Sequence, residues 1–264
     1  MIIGVDMGAS AVKICALEGD AIVFTHYEHG RGGDIPALLA RLGLDAQGAE
    51  LIALTGLSAK NSGLEALGRP VKYMPEPESI GEGACWLTGR DNLIVASIGT
   101  GTAFVHARGG EYEHLCGTGV GGGTLKGLAV KVLGVANMRE FDSLAMAGDC
   151  GRVDLLIGDF VESYGILDPE ITASNLARLN PEASREDWAA GLANLVLQII
   201  GTMSLLACTS SGAEAVAVIG ALAGTEPSRA NFATFERVYG KSFLIPEHSA
   251  CATAIGAARR ARCV

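Results

Sequence analysis

Short apolar runs separated by glycine-containing turns fill the first half of the chain. Residues 2–5 and 12–17 flank the tight turn Met7-Gly8-Ala9-Ser10, which predicts a β-hairpin, and 21–27 reads as a third strand. Apolar spacing predicts a helix over 35–42, followed by short strands at 51–54 and 71–74. A helix is expected over 78–87, with Ser79 as its N-cap. A second cycle opens with an apolar strand at 93–97. It turns through Gly99-Thr100-Gly101-Thr102 and returns as a strand at 103–107. A glycine run from Gly117 to Gly123 then opens a helix over 124–133. Further on, the pattern predicts a long apolar helix over 188–209, a strand at 215–219 and a helix over 231–239. The final helix, over 250–262, carries basic residues in its last turn, where the helix dipole favours them.

Strand, glycine loop and strand therefore occur twice, at 2–17 and at 93–107, a weak internal repeat. It predicts two domains of similar build, 1–91 and 92–264, with the last helix a candidate to return to the first. Composition sharpens this picture. Glycine accounts for 36 of 264 residues, roughly double the usual ~7 %. There is no three-residue period and there are only 8 prolines, so collagen and low-complexity disorder are excluded. A net charge of −9 without a Lys/Arg block argues against nucleic acid and against an anionic membrane surface.

The start, Met1 to Asp6, lacks the basic region of a signal peptide. The apolar stretch 192–208 carries Asn194, Gln198, Thr202 and Ser204. It falls short of the ~20 residues of a membrane span, so a buried helix is expected. Seven scattered cysteines with no Cys-x-x-Cys suggest neither zinc nor a disulfide framework. They read as small buried apolar groups in a reduced cytoplasm.

Four motifs carry candidate chemistry. In Asp6-Met7-Gly8-Ala9-Ser10-Ala11-Val12-Lys13 a small turn lets backbone amides approach an anion. Ser10 adds a hydroxyl and Lys13 a cation, while Asp6 is placed to hold Mg²⁺ through water. A plain hairpin with Asp6 as a turn acceptor is the alternative. Gly99-Thr100-Gly101-Thr102 repeats the setting, and two such hairpins in corresponding places suggest phosphates gripped between two domains. The run 117–123 contains a formal G-x-G-x-x-G, but no strand is evident just before it, which disfavours a dinucleotide fold. Gly121, Gly122 and Gly123 instead read as a surface lying against a nucleotide. Finally, Glu76 stands between Pro75 and Pro77, which hold its carboxylate in one direction, as a general base requires. The competing reading for Glu76 and for Glu78 is an acid placed at a helix start by the dipole. His26 and His29 read as exposed, and His114 precedes the glycine run.

Together, Asp6-x-Gly-x-Ser-x-x-Lys13, the loop 98–102 and the run 117–123 resemble the acetate and sugar kinase/actin superfamily. In particular, the chain resembles type II pantothenate kinases over nearly its whole length. Leu54-Thr55-Gly56, Thr172-Ala173-Ser174-Asn175, Val218-Ile219-Gly220 and Ala254-Ile255-Gly256-Ala257 extend the match. The resemblance implies two RNase H-like α/β domains flanking an ATP cleft. It also implies a cytoplasmic homodimer that phosphorylates the hydroxyl of pantothenate, the first step of coenzyme A synthesis, with ATP and Mg²⁺. By that resemblance Glu76 is the catalytic base and touches substrate with His114. The nucleotide is held by Asp6, Gly8, Ala9, Ser10, Lys13, Gly99, Thr100, Gly101, Thr102, Gly121, Gly122, Gly123, Thr124, Lys126, Met138 and Ala221.

Two departures stand out. Glu113-His114 replaces a basic pair that serves the substrate carboxylate, and Ala221-Leu222-Ala223 replaces a hydroxyl-bearing turn. They keep two other readings open: a kinase of the same fold for another small alcohol, and a catalytically silent nucleotide- or coenzyme A-sensing protein. A dehydratase-activator ATPase is disfavoured, since its iron–sulfur cluster needs close cysteines. The long apolar helix at 192–208 must be covered on most sides, by a partner subunit or wholly within its own domain, and the resemblance implies the former.

Overall fold

The computed structural model describes residues 1–30, 33–59, 62–64, 70–161 and 168–263. Strands β1 (Ile2–Met7), β2 (Ala11–Glu18) and β3 (Ala21–His29) form an antiparallel meander. Helix α1 (Ile35–Arg41) starts where the Asp34 carboxylate accepts a hydrogen bond from Ala37 N at 3.0 Å and Pro36 fits the first turn. β4 (Leu51–Thr55) and β5 (Val71–Tyr73) then add in parallel beyond β1, giving the order β3-β2-β1-β4-β5. Helix α2 (Glu76–Thr88) leads to the second sheet.

That sheet repeats the plan. β6 (Asn92–Ile98), β7 (Thr102–Arg108) and β8 (Glu111–Thr118) form the meander. Helices α3 (Gly122–Leu128) and α4 (Met138–Ala147), a small ribbon of β9 (Leu155–Leu156) and β10 (Thr172–Ser174), and the long α5 (Arg185–Ser211) follow. β11 (Ala215–Ile219) pairs in parallel with β6, and helix α6 (Glu226–Tyr239) leads to β12 (Phe243–Leu244), parallel to β11. The order β8-β7-β6-β11-β12 matches the first sheet strand for strand. Two glycines repeat as well. Gly56 after β4 has φ +95° and Gly220 after β11 has φ +98°. A Cβ would meet Met7 O at 2.6 Å in the first case and Ile98 O at 2.2 Å in the second. Both turns thus need a residue without a side chain, pressed on the end of the neighbouring parallel strand.

Strand alternation assigns the faces. Ile3, Val5, Met7, Val12, Ile14, Ile52 and Leu54 form one core with α1. Ile2, Cys15, Leu17, Leu51 and Ala53 face the last helix, α7 (Ala252–Cys263). In the second sheet Ile94, Ala96, Ile98, Phe104, Val216 and Val218 pack under α3–α6, while Leu93, Val95, Val105 and Ala107 face α2. Helices α2 and α7 cross between the sheets with backbone touching backbone. A Cβ at Gly256 would lie 1.9 Å from Ser79 O, and one at Gly83 2.0 Å from Ala252 O. Arg259 and Arg260 of α7 bind Glu82 and Glu78 of α2 at 3.1 and 2.9 Å, which gives Glu78 a structural task.

Several expectations are corrected. A strand, β8, does precede the glycine run. It is antiparallel to β7, so the βαβ setting of a dinucleotide fold is still not formed. α2 starts at Glu76, two residues before the expected start, because Pro75 already holds the extended entry. Ser79 is not its cap; it is fully buried and its hydroxyl donates to Pro75 O at 3.0 Å. α3 begins at Gly122 and ends at Leu128, and a π-helical turn covers Ala129–Leu133.

Only Cys15, Cys208 and Cys251 among the seven cysteines are buried, and Cys116 and Cys263 are exposed. His26 is partly buried and bonds Glu28 at 3.3 Å. The apolar helix α5 has 27 residues, long and apolar enough to cross a membrane, with half of its most apolar window buried within the chain. Its length is therefore no argument against a span. Its packing under the second sheet is what marks it as a core helix.

Candidate functional site

Asp6 and Lys13 stand opposite each other in the β1–β2 ladder. Both belong to the alternation of Cys15 and Ala53, so they point to the face of the first sheet that looks toward α7 and the second sheet. Lys13 Nζ donates to Asp6 Oδ2 at 3.0 Å. Burial pushes the Asp6 carboxyl above its ordinary range, and the Lys13 charge pulls it back. Beyond this pair the turn projects outward: Gly8 N bonds Ala11 O at 3.0 Å, while Ala9 and Ser10 are exposed. Ala9 does not have positive φ, so its methyl group brings no backbone strain to the turn.

The second hairpin, Gly99–Thr102, lies at the matching end of β6 and β7. Its tip reaches the first: Ser10 Oγ and Thr100 Oγ1 are 2.7 Å apart. The glycine run packs on this hairpin backbone to backbone. Gly122 N donates to Gly99 O and Gly123 N to Thr100 O, both at 2.9 Å. A Cβ at Gly121 would lie 2.7 Å from Gly101 C, and one at Gly123 2.6 Å from Thr100 Cγ2. The absence of side chains at Gly121, Gly122 and Gly123 is thus required by the close packing of the run on the second hairpin. The Thr102 hydroxyl is also spent internally, on Val120 O at 2.8 Å, as is that of Thr124, on Gly119 O at 2.8 Å. The hydroxyls left at the junction are those of Ser10 and Thr100.

Glu76 is the first residue of α2 and lies between Pro75 and Pro77, so it is a helix-start acid. Its carboxyl is pushed up by burial first and by Asp6 second, and drawn down by Lys13 and His114. The four side chains therefore share one electrostatic neighbourhood. His114 joins it from β8. It pairs with Val105, on the face turned to α2, whereas Glu113 pairs with His106 and lies on the opposite face. Adjacent in sequence, the two side chains do not act as a pair, and Glu113 does not confront whatever His114 meets.

The remaining expected residues, Lys126, Met138 and Ala221, all lie in the second half of the chain. Lys126 is exposed on α3. Met138 opens α4 behind the Asn137 cap, and Ala221 is exposed just past Gly220. Nearby in sequence, Asp142 of α4 has its carboxyl pushed up to about 6 by burial and by Glu226, the first residue of α6.

The sequence reading did not anticipate a cavity of about 620 Å³ among α4, α5, α6 and the β9–β10 ribbon. Beneath it lies Asp154, fully buried, which accepts from Asn194 Nδ2 at 2.7 Å and from Leu176 N at 2.7 Å. Asn194 Oδ1 in turn accepts from Asn231 Nδ2 at 3.0 Å, and Asn231 Oδ1 is left without a partner. The matched stretch Thr172 to Asn175 was the available signal. Thr172 and Asn175 both reach Asp154, at 3.4 and 3.3 Å.

Among the described residues no three His, Cys, Asp or Glu side chains converge into a metal cage. A hard cation such as Mg²⁺, which keeps its waters and takes one carboxylate plus phosphate oxygens, needs no such cage. Asp6 fits that role: Lys13 occupies Oδ2, and no hydrogen bond reaches Oδ1 among the described residues.

A family profile described as Fumble matches residues 92–257. A type II pantothenate kinase of Oceanobacillus iheyensis is 27 % identical, covering 97 % of this chain and 97 % of its own. One from Staphylococcus haemolyticus is 26 % identical, covering 86 % and 87 %. Among solved structures, the activator of 2-hydroxyisocaproyl-CoA dehydratase from Clostridium difficile with bound ADPNP superposes with TM-score 0.70 at 18 % identity, over 98 % of this chain and 93 % of that one. A ROK family glucokinase from Streptomyces griseus, in complex with glucose and AMPPNP, gives 0.63 at 15 % identity, over 100 % and 99 %. The last two likenesses are of fold: α/β, with two lobes of the actin and sugar kinase type.

Proposed function

The chain belongs to the Fumble family, and from that premise we propose that this kinase moves the γ-phosphoryl group of ATP to the hydroxyl of pantothenate, the entry step to coenzyme A. The observation that carries the reading is the meeting of Asp6, Lys13, Glu76 and His114 in one neighbourhood below the paired hairpin tips. Ser10 and Thr100 cradle the phosphates from the two lobes. Lys13 adds positive charge and fixes the Asp6 carboxylate. A bound Mg²⁺ supplies neutralisation of the phosphate charge. Glu76 takes the hydroxyl proton as the oxygen attacks. Its raised pKa brings its proton affinity nearer the working pH, and its place on a rigid helix end holds it in line. His114 faces the carboxylate end of the acceptor. Met138 and Ala221 border the base of the nucleotide.

The same reading makes the protein a cytoplasmic homodimer. Leu195, Ile199, Met203 and Leu206 form a stripe along α5 that the chain leaves partly open, with Leu206 66 % exposed. A second copy laid on that stripe would cover it. Sedimentation at micromolar concentration tests this, and a monomer mass overturns it.

The function is tested by incubating the protein with Mg-ATP and pantothenate across pH 6–8, following ADP and phosphorylated product. Turnover with another small alcohol in preference to pantothenate selects a different acceptor. Nucleotide binding without turnover on any alcohol selects a silent sensor.

A further inference from the structure

Two buried side-chain atoms among the described residues have no hydrogen-bond partner, and one of them is Thr55 Oγ1. Thr55 is 1 % exposed. Buried hydroxyls are almost always paired, so an orphan calls for a partner that the chain does not supply. Its place identifies that partner. Thr55 ends β4 directly beside Asp6 in the parallel β1–β4 register, and Leu54 alternates to the α1 face, so Thr55 and Asp6 share the face that looks toward α7 and the second sheet. Asp6 Oδ2 is occupied by Lys13 at 3.0 Å, and its Oδ1 turns to the end of β4, where a Cβ on Gly56 would lie only 2.7 Å away. On the other side of β4, Met74 N bonds Leu54 O at 2.7 Å, and the chain runs on through Pro75 to Glu76. The strand order β1-β4-β5 therefore sets Thr55 between Asp6 and the segment that delivers Glu76.

We infer that the Thr55 hydroxyl is a positioning group for a water of the cation held at Asp6, orienting that water from the β4 side. This rests on the proposed Mg-ATP site. The geometry leaves two unused oxygens, Thr55 Oγ1 and Asp6 Oδ1, on neighbouring strand ends at the floor of the cleft. A water between them would donate a hydrogen bond to the carboxylate and accept one from the Thr55 hydroxyl, leaving its remaining lone pair for a metal. A hydroxyl that served the fold would instead be bonded to protein, as Thr102 and Thr124 are.

The test uses Mn²⁺ as probe, with saturating ADP, and reads free Mn²⁺ by electron paramagnetic resonance. Thr55→Val keeps the shape of a buried strand residue and deletes only the hydroxyl. Outer-shell partners typically tune metal affinity by 10–100-fold, so Thr55→Val should weaken Mn²⁺ by about tenfold and Thr55→Ser should recover to within about twofold. The unliganded melting temperature of Thr55→Val should equal or exceed that of the wild type, since an unpaired buried polar group has gone. Unchanged Mn²⁺ affinity in Thr55→Val overturns the inference, as does a lower unliganded melting temperature that Thr55→Ser restores. A wild-type protein that takes up no Mn²⁺–ADP overturns the site reading itself, which separates the two failures.

Discussion

Ser10 Oγ lies 2.7 Å from Thr100 Oγ1, across 90 residues of chain, and this hydrogen bond joins the tips of the two repeated hairpins. Both residues are exposed, so the contact adds little to stability. Phosphate oxygens entering between the tips would take over both hydroxyls as acceptors. A hydrogen bond to a charged group contributes ~1.5–3 kcal/mol, so Ser10→Ala and Thr100→Val should each raise the KM for ATP by about tenfold or more. Without nucleotide, both variants should stay within about 0.5 kcal/mol of wild type in denaturant melts. ATP titrations of initial rate check the first outcome. An unchanged KM in both variants would remove the phosphate role.

Glu76 is tested by Glu76→Gln. Loss of a general base should lower kcat by ~10²–10⁴-fold, while ATP affinity is kept. The stability effect has the opposite sign. Burial and Asp6 raise the folded pKa of Glu76 above its ordinary 4.5. The folded state then holds that proton more tightly than the unfolded chain does. Ionisation therefore costs stability, fully above the raised folded value and not at all well below 4.5. Glu76→Gln removes the cost, so the variant should melt higher than wild type at neutral pH, with the gap closing as pH falls toward 4.5. Wild-type kcat/KM should fall on the acid side at a higher pH than an ordinary glutamate would set. Calorimetric melts and a pH–rate profile decide both points.

The glycine run is tested as packing. A Cβ at Gly121 would lie 2.7 Å from the Gly101 backbone, where nothing flexible can yield. Gly121→Ala should cost ~1–3 kcal/mol by overpacking, and it should also weaken ATP by parting the run from the second hairpin. Gly127, inside α3, has nothing within 4 Å of a Cβ. Gly127→Ala should stabilise by ~0.5–1 kcal/mol. Urea melts of the two variants should therefore move in opposite directions.

Much of this was legible in the sequence because period-2 alternation and glycine turns are local signals. The repeated hairpins and both loops were readable from neighbouring residues, whereas Glu76 stood out from other helix-start acids only through the family resemblance. What escaped depended on partners far along the chain. β8 carries Glu111, Glu113 and His114 among few apolar residues, since it is an edge strand with one face half open, and its polar pattern hid it. The role of Gly121 needs Gly101, and the task of Glu78 needs Arg260. Asp154 gathers Thr172, Asn175 and Asn194, and no spacing rule links those four positions. The hydroxyl of Thr55 stood inside a quoted motif, but its lack of a partner exists only in three dimensions.

His114 and Glu113 give the sharpest division between sequence and structure. Read as neighbours in sequence, they form a mixed pair in which the glutamate repels an acidic acceptor. In the β8 register they lie on opposite faces, and only His114 influences Glu76. Substituting each in turn separates the two views. His114→Ala should raise the KM for pantothenate, and His114→Arg, which offers a permanent charge and a planar fork to a carboxylate, should lower it. A charge-assisted hydrogen bond contributes ~1.5–3 kcal/mol, so the change for His114→Ala should be about tenfold or more. Glu113→Ala should leave that KM almost unmoved, because its carboxylate points away from α2. Steady-state kinetics with pantothenate as the varied substrate decide the matter. A fall in KM for Glu113→Ala as large as that for His114→Arg would mean that both side chains face the acceptor, against the register.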